Sequence, residues 1–444
     1  MAALVRRLGV FDVLLIVMGS VIGSGIFRAP SVVAQRVQSP VVMLGAWVTG
    51  GIVALFGAFV LGELAARRPD GCGAYVYLRD AFHPMVAFAY GWTSLLVSLT
   101  GGIAAAAVLF AGYFEPLTNF RVAPTILAVA AIVALTVVNS LGVRMGGGAQ
   151  NVLMLLKVAG LGAIIVAGFI AQPAVANHSG ATVVAPIDAL TGFGVAMIPV
   201  LFAYNGATVA TFMTRETKSA GRAFPLGLWG GMLAVIVLYV LVNAVCIRVL
   251  GSAGLARTAT PASDVLRIAT GPVGERLVAL AIVISTLGFI SNRILSSPRL
   301  YHAMAQDGLF FRQVAWIDPK TRVPILAIAL QGVFAIAMAL SGSYERILNY
   351  VVSTSYVFTG LLAVALFIIR AQDRRAGVSA EGQFRAPWHP FSTVIVLVTS
   401  WGIAVDTYIK YPADGLIGFA IVLSAIPVYL LWIRRLTPRA PDRL

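Results

Sequence analysis

Gly19-Ser20-Val21-Ile22-Gly23-Ser24-Gly25-Ile26-Phe27 lies in the middle of the first long apolar stretch, and its reading decides the fold. Each glycine in a helix interior costs about 1 kcal/mol relative to alanine, so a helix carrying Gly19, Gly23 and Gly25 at its centre is expected to break there. The Gly19-x-x-x-Gly23 spacing also suits close packing of an intact helix on a neighbour. A second stretch weighs on the choice: Pro199, followed by Phe202-Ala203-Tyr204-Asn205-Gly206, interrupts another apolar segment. Proline removes a backbone donor, and Asn-Gly favours a turn. Interruptions at similar depth in the first and sixth apolar segments are the pattern of an inverted repeat with discontinuous helices 1 and 6.

Hydrophobic residues make up 59% of the 444 positions and charged residues 11%, too little polar surface for a chain folded in water. Apolar segments of about 20 residues, the length of a helix that crosses a bilayer, recur along the chain. They fall near 10 to 35, 41 to 66, 82 to 112, 123 to 141, 149 to 171, 188 to 213, 224 to 250, 272 to 305, 323 to 341, 345 to 370, 391 to 410 and 413 to 435. Only helices satisfy their own backbone in such segments. The expectation is an all-α membrane protein of about 12 transmembrane helices, a single transporter domain over 1–444. Within it, 1–171 forms the first inverted repeat, 188–370 the second, and 391–435 two additional helices.

The net charge of +15 is spread over short connectors rather than gathered on a soluble domain, which excludes a nucleic-acid-binding module and fits positive-inside bias. Arg6 and Arg7 precede the first span. Arg67, Arg68, Arg79, Arg144, Arg215, Lys218, Arg222, Arg312, Lys320, Arg322, Arg374, Arg375 and Arg385 fall in alternate connectors, and Arg434, Arg435, Arg439 and Arg443 follow the last span. Both termini therefore read as cytoplasmic. Cys72 falls in a connector and Cys246 within a span, so no disulfide is expected. The first apolar stretch is longer than a signal h-region and reads as a span. Asn177-His178-Ser179 has the form of a glycosylation sequon, a triplet too frequent by chance to carry weight. The chain has no H-E-x-x-H, G-x-S-x-G or Walker pattern, and its four histidines are scattered; no enzyme, metal or cofactor is implied.

These residues resemble the amino acid–polyamine–organocation superfamily, and within it the L-type amino acid transporters and their bacterial homologues. Gly23-Ser24-Gly25-Ile26-Phe27 resembles the first-helix G-S-G-I-F, Gly73-Ala74-Tyr75-Val76-Tyr77-Leu78 the start of the third helix, and Phe202-Ala203-Tyr204-Asn205-Gly206 the sixth-helix F-A-Y-x-G. Glu216, Arg222 and Pro225 match a cytoplasmic E-x-x-x-x-x-R-x-x-P. Ser285-Thr286-Leu287-Gly288, Arg299 to Gly308, and Phe384-Arg385-Ala386-Pro387 are similar to the eighth helix, its end, and the segment before the eleventh. Two residues depart from the pattern: Ala207 stands where L-type members usually carry Trp, and Arg215 where many carry an acid. The resemblance implies the five-plus-five inverted repeat with two added carboxy-terminal helices.

A zwitterionic amino acid needs donors for its carboxylate and acceptors for its ammonium, and interrupted helices supply both. Amides around Ser24, Gly25 and Ile26 suit the carboxylate; carbonyls of Val21 or Ile22, and of Phe202, Ala203 and Asn205, suit the ammonium, with Gly206 in the same break. Asn205 either bonds the substrate side chain or caps the broken helix. The resemblance makes Phe202 an aromatic gate. It also aligns Lys157 with the lysine that takes the sodium position in sodium-independent relatives, bridging a carbonyl near Gly19 to a hydroxyl of Ser285 or Thr286. A lysine snorkelling to the membrane face is the alternative. If burial lowers its pKa, Lys157 could also carry a coupling proton. Glu63, Glu115, Asp188 and Asp406, the other acids near spans, read as interface or packing residues.

The expected function is sodium-independent amino acid transport in a bacterial plasma membrane, by proton symport or exchange, without an obligatory protein partner. Small or medium neutral amino acids are preferred because the sixth-helix motif offers Asn205 rather than an acid. A polyamine carrier, a membrane amino-acid sensor without flux, and a channel are the competing readings.

Overall fold

The computed structural model describes residues 8–37, 39–69, 72–118, 122–142, 147–172, 186–219, 221–321, 323–341, 343–378 and 382–436. The Asn177-His178-Ser179 triplet and Arg6, Arg7, Arg144, Arg322, Arg439 and Arg443 lie outside them, as do the side chains of Glu115, Asp188, Arg215, Arg434 and Arg435.

Helix α1 (Val10–Val21) opens where the Asp12 carboxylate accepts the Gly9 N–H at 2.8 Å. It stops at the glycine cluster, and α2 (Gly25–Arg36) continues at a bend of 44°. Helix α3 (Pro40–Arg67) begins with proline, whose missing N–H costs nothing in a first turn. Helices α4 (Ala74–Ala81) and α5 (Pro84–Thr93) follow, and a π turn at Ser94–Ser98 joins α5 to α6 (Leu99–Thr118). Then come α7 (Pro124–Ser140) and α8 (Gly147–Ile170). The second interruption separates α9 (Pro186–Tyr204) from α10 (Ala207–Ala210), which tightens into a 3-10 turn at Thr211–Glu216. The remaining helices are α11 (Ala223–Arg257), α12 (Pro261–Ser296), α13 (Pro298–Gln306), α14 (Ile325–Leu340), α15 (Tyr344–Arg375), α16 (Phe391–Lys410) and α17 (Pro412–Leu436).

Eight helical runs among the described residues, one of them Gly192–Thr214 across the second interruption, are long and apolar enough to cross a membrane, or up to nine with the bent α1–α2 pair as one span. Three expected spans are shorter apolar helices: α7, α14 and the Met154–Ile170 part of α8. The all-helical membrane class holds on this basis. One connector differs from expectation. Residues between the seventh and eighth spans are largely helical, because α11 runs on through Gly251 (φ 66°) and α12 begins before Gly271 (φ 75°). Glycine alone adopts these dihedrals freely, so each helix turns there and resumes.

The core forms around α11, which packs on α1, α2, α3 and α8, while α12 packs on α6, α7 and α8. An aromatic cluster joins α3, α9 and α11: Trp47 meets Tyr204 and Tyr239 edge-to-face at 5.8 Å, and the two tyrosines are tilted against each other at 5.2 Å. At one end of α3, the fully buried Glu63 accepts from Arg67 Nε and Arg370 Nε at 2.8 Å and from the Ala386 amide at 2.7 Å. Asp373 accepts from Arg67 and Arg68 at 2.7 and 2.8 Å. Glu63 is thus a packing residue, and the Arg385-Ala386-Pro387 segment is held to the bundle through a main-chain amide.

Removing one member of a buried charge network leaves the others uncompensated, at a cost of about 3–5 kcal/mol, against roughly 0–1 kcal/mol for an exposed pair. Glu63→Gln should therefore lower the apparent melting temperature of the detergent-solubilised protein clearly. Asp264→Asn, which breaks the pair to the 57%-exposed Arg267, should leave it nearly unchanged.

Candidate functional site

The two helix breaks meet. Gly206 has φ 151°, and a Cβ placed on it would lie 2.3 Å from the Ser20 carbonyl oxygen; one placed on Gly25 would lie 2.5 Å from Ala203 Cα. Any larger residue at either point would push one broken helix off the other, which is the physical use of both glycines.

A broken helix strands its last carbonyls in a medium with no water to take them. At the end of α1 three consecutive carbonyls are taken by three different helices. Arg293 of α12 donates to Ser20 O at 2.9 Å, Tyr239 of α11 to Val21 O at 3.1 Å, and Lys157 of α8 to Ile22 O at 3.2 Å. The Tyr239 hydroxyl is also 3.4 Å from Ala203 O, so its single proton can serve either break. At the end of α9, Tyr356 of α15 donates to Leu201 O at 3.0 Å, and the Asn205 amide to Phe202 O at 3.1 Å. Two of the donors are cations at the negative end of the α1 dipole, where positive charge is stabilised. Both lie over the Phe289 ring, Arg293 at 5.0 Å and Lys157 at 5.3 Å from its centroid.

Beside the breaks is a cavity of about 70 Å³. Val21, Gly23, Ser24 and Gly25 line it from the first break, and Phe202, Ala203, Asn205, Thr208 and Val209 from the second. Tyr90, Ser94, Ser98, Leu99 and Gly102 come from the α5–α6 region, Phe289 and Arg293 from α12, and Val351, Ser355, Phe358, Thr359 and Leu362 from α15. The π turn lies in this wall, as such turns often do at functional sites. Phe202 packs edge-on to Tyr344 at 5.9 Å, and the adjacent Glu345 pairs with Arg28 of α2 at 3.0 Å, so an aromatic contact and an ion pair lie side by side there.

Of the residues expected from sequence, Ser24, Gly25, Phe202, Ala203 and Asn205 line the cavity. Ile22 and Ile26 are buried out of it, and Gly206 faces Ser20. The Ile22 carbonyl already holds the Lys157 ammonium, and a second ammonium there would meet like charge. Lys157 is buried and does not snorkel. The first-helix carbonyl it reaches is that of Ile22, just past Gly19, because α1 stays helical through Gly19 and ends at Val21. Thr286 turns its hydroxyl to Ile282 O at 2.8 Å within its own helix, and Ser285 is buried nearby on the same turn; among the described residues neither receives the Lys157 bond. Asp406 has one buried carboxylate oxygen without a partner among the described residues, away from the cavity lining.

The sequence reading missed Arg293 and Tyr239. Arg293 had a signal, since a charge inside an apolar segment is a functional candidate by default. Tyr239 had none: a tyrosine in an apolar span is ordinary until its hydroxyl is seen between two broken helices.

Comparison with known proteins adds independent findings. The family described as amino acid permease matches residues 8–433. The serine/threonine exchanger SteT of Bacillus subtilis (strain 168) is 26% identical over 433 residues, 96% of this chain and 96% of its own length. The b(0,+)-type amino acid transporter 1 of Mus musculus is 27% identical over 439 residues, covering 97% of this chain and 88% of its own. The large neutral amino acids transporter small subunit 2 of Homo sapiens is 25% identical over 454 residues, 97% of this chain and 81% of its own.

Gly25→Ala should destabilise the protein, because the added carbon meets backbone at the crossing of the two breaks. Gly45→Ala, with nothing within 4 Å of the new carbon, should not. Melting curves of the two variants in the same detergent check the contrast. Tyr239→Phe should cost only about 0.5–1.5 kcal/mol, the net worth of one hydrogen bond, because the Val21 carbonyl keeps the Gly23 amide at 2.8 Å.

Proposed function

The chain belongs to the amino acid permease family, within the amino acid–polyamine–organocation superfamily, and on that premise we propose that it is a sodium-independent secondary transporter of amino acids that works by alternating access. The observation that carries this reading is the meeting of two helix breaks at one cavity. The first amides of α2, at Ser24, Gly25 and Ile26, have no acceptor one turn earlier, so they are donors for a carboxylate. Ala203 and Asn205 at the other break supply carbonyls for the ammonium; Val21 shares that role only in competition with Tyr239. Phe202 is the gate beside Tyr344.

Sodium independence follows from Lys157. Its ammonium sits on a carbonyl of the first break, the kind of ligand a sodium ion would need, so a fixed cation replaces a mobile one. Exchange is the mode we favour, in keeping with the name of the Bacillus relative that matches over nearly its full length. Alternating access would rock one repeat against the other, with 1–171 and 188–370 as inverted halves. A polyamine substrate fits poorly, because the described lining holds Arg293 and neither Asp nor Glu. The connector arginines support a plasma-membrane protein with both termini cytoplasmic, in a bacterial cell. Both cysteines are buried, so neither presents its sulfur for a disulfide to a second chain, and we take the protein to act alone.

Uptake of labelled amino acids by purified protein in liposomes tests this. Saturable uptake that persists when sodium is replaced by choline, and rises severalfold when the liposomes are preloaded with unlabelled amino acid, is the expected result. A rise driven instead by an inward proton gradient into empty liposomes would make the protein a proton symporter. A strict sodium requirement would overturn the role given to Lys157, and binding without flux under any gradient would make the protein a sensor. Lys157→Met should lower the rate at least tenfold, as roughly 1.4 kcal/mol lost from one hydrogen bond to a charged group would give.

A further inference from the structure

Arg293 is 8% exposed, lines the cavity and has a buried Nε with no partner among the described residues. One terminal nitrogen is fixed on Ser20 O, and the guanidinium lies over Phe289. The main chain beneath it is tied down as well, since Gln331 donates to Arg293 O at 3.4 Å. Arg293 therefore brings to the cavity wall a rigid guanidinium whose buried Nε–H has no acceptor among the described residues.

The charge does not balance. A guanidinium keeps its proton across the physiological range, whereas the end of a helix supplies only about half a negative charge. The Phe289 ring adds attraction on the order of 2 kcal/mol at such a buried site, less than a full counter-charge would. No Asp or Glu stands among the cavity lining residues, and Lys157 adds a second buried ammonium on the next carbonyl but one. A buried ion without a counter-charge costs several kcal/mol. A second donor waits in the same cavity: Ser355 Oγ is buried and has no partner among the described residues.

We propose that the cavity contains a subsite for a side-chain carboxylate, with Arg293 as its charge partner and Ser355 as a second donor, so that the preferred substrates are anionic amino acids. This rests on the transport reading above and replaces the neutral-substrate expectation drawn from Asn205. The α-carboxylate and ammonium keep their places at the two breaks. The side-chain carboxylate then brings the missing negative charge and accepts from the N–H groups of the guanidinium that Ser20 O leaves unused. Arg293 would act both as a cap for α1 and as the determinant of substrate class.

The test is competition binding to the purified full-length protein with aspartate, glutamate, asparagine, glutamine, serine and leucine. The acids should bind at least about tenfold more tightly than their uncharged amides, the discrimination given by one charge-assisted hydrogen bond. Arg293→Gln should bring the glutamate-to-glutamine ratio down to about one, and Arg293→Lys should keep it well above that, whatever either change does to absolute affinity. Amides that bind as well as the acids in the unsubstituted protein, or a ratio unaltered by Arg293→Gln, would overturn the subsite and leave Arg293 as a helix cap. Should Arg293→Gln fail to fold, the acid-to-amide ratio of the unsubstituted protein decides alone. Binding of serine or leucine with exclusion of both acids overturns the subsite and leaves the transport reading intact; no binding by any of the six overturns both.

Discussion

Backbone carbonyls cannot be left bare inside a membrane, and the three carbonyls at the end of α1 lose the helical ladder, with only Val21 O keeping a main-chain donor, the Gly23 amide at 2.8 Å. The rest of the site is arranged to meet that constraint. Ser20, Val21 and Ile22 each receive a donor from a different helix, namely α12, α11 and α8. Each donor is buried, so each helix is fixed relative to the break. The interruption thereby becomes the point at which four helices are registered against one another. Two of the donors carry charge, which makes this corner of the protein electropositive although the surrounding solvent is lipid.

The same constraint explains why glycine stands where it does. Gly25 and Gly206 let one broken helix cross the other at backbone contact, so that the stranded groups of both breaks come within reach of a single tyrosine hydroxyl. Tyr239 is in turn held by the aromatic cluster with Trp47 and Tyr204, and Tyr204 donates to Trp47 O at 3.1 Å. Aromatic packing between spans thus sets the position of a polar atom at the cavity edge.

Charge is handled differently at the end of α3. There Glu63, Arg67, Arg370 and Asp373 pair with one another and with a main-chain amide, so positive and negative groups are matched. Beside the cavity no such match stands among the described residues, where Arg293 and Lys157 donate to carbonyls rather than to carboxylates.

Hydropathy, glycine placement and the order of the motifs are properties read along the chain, and they determined the helical membrane class, the two interruptions, and Ser24, Gly25, Phe202, Ala203 and Asn205 as residues at the cavity. They also picked out Lys157, because an ammonium in an apolar segment is costly wherever the fold puts it. Tertiary structure decided which carbonyls each break exposes and what covers them. Lys157 meets Ile22 across 135 residues, Tyr239 meets Val21 across 218, and Arg293 meets Ser20 across 273. No local pattern encodes those distances. The helix also runs through Gly19 to Val21, because packing of α1 on α11 outweighs a glycine cost of about 1 kcal/mol, and that end point decided which carbonyl near Gly19 the lysine meets, the one at Ile22.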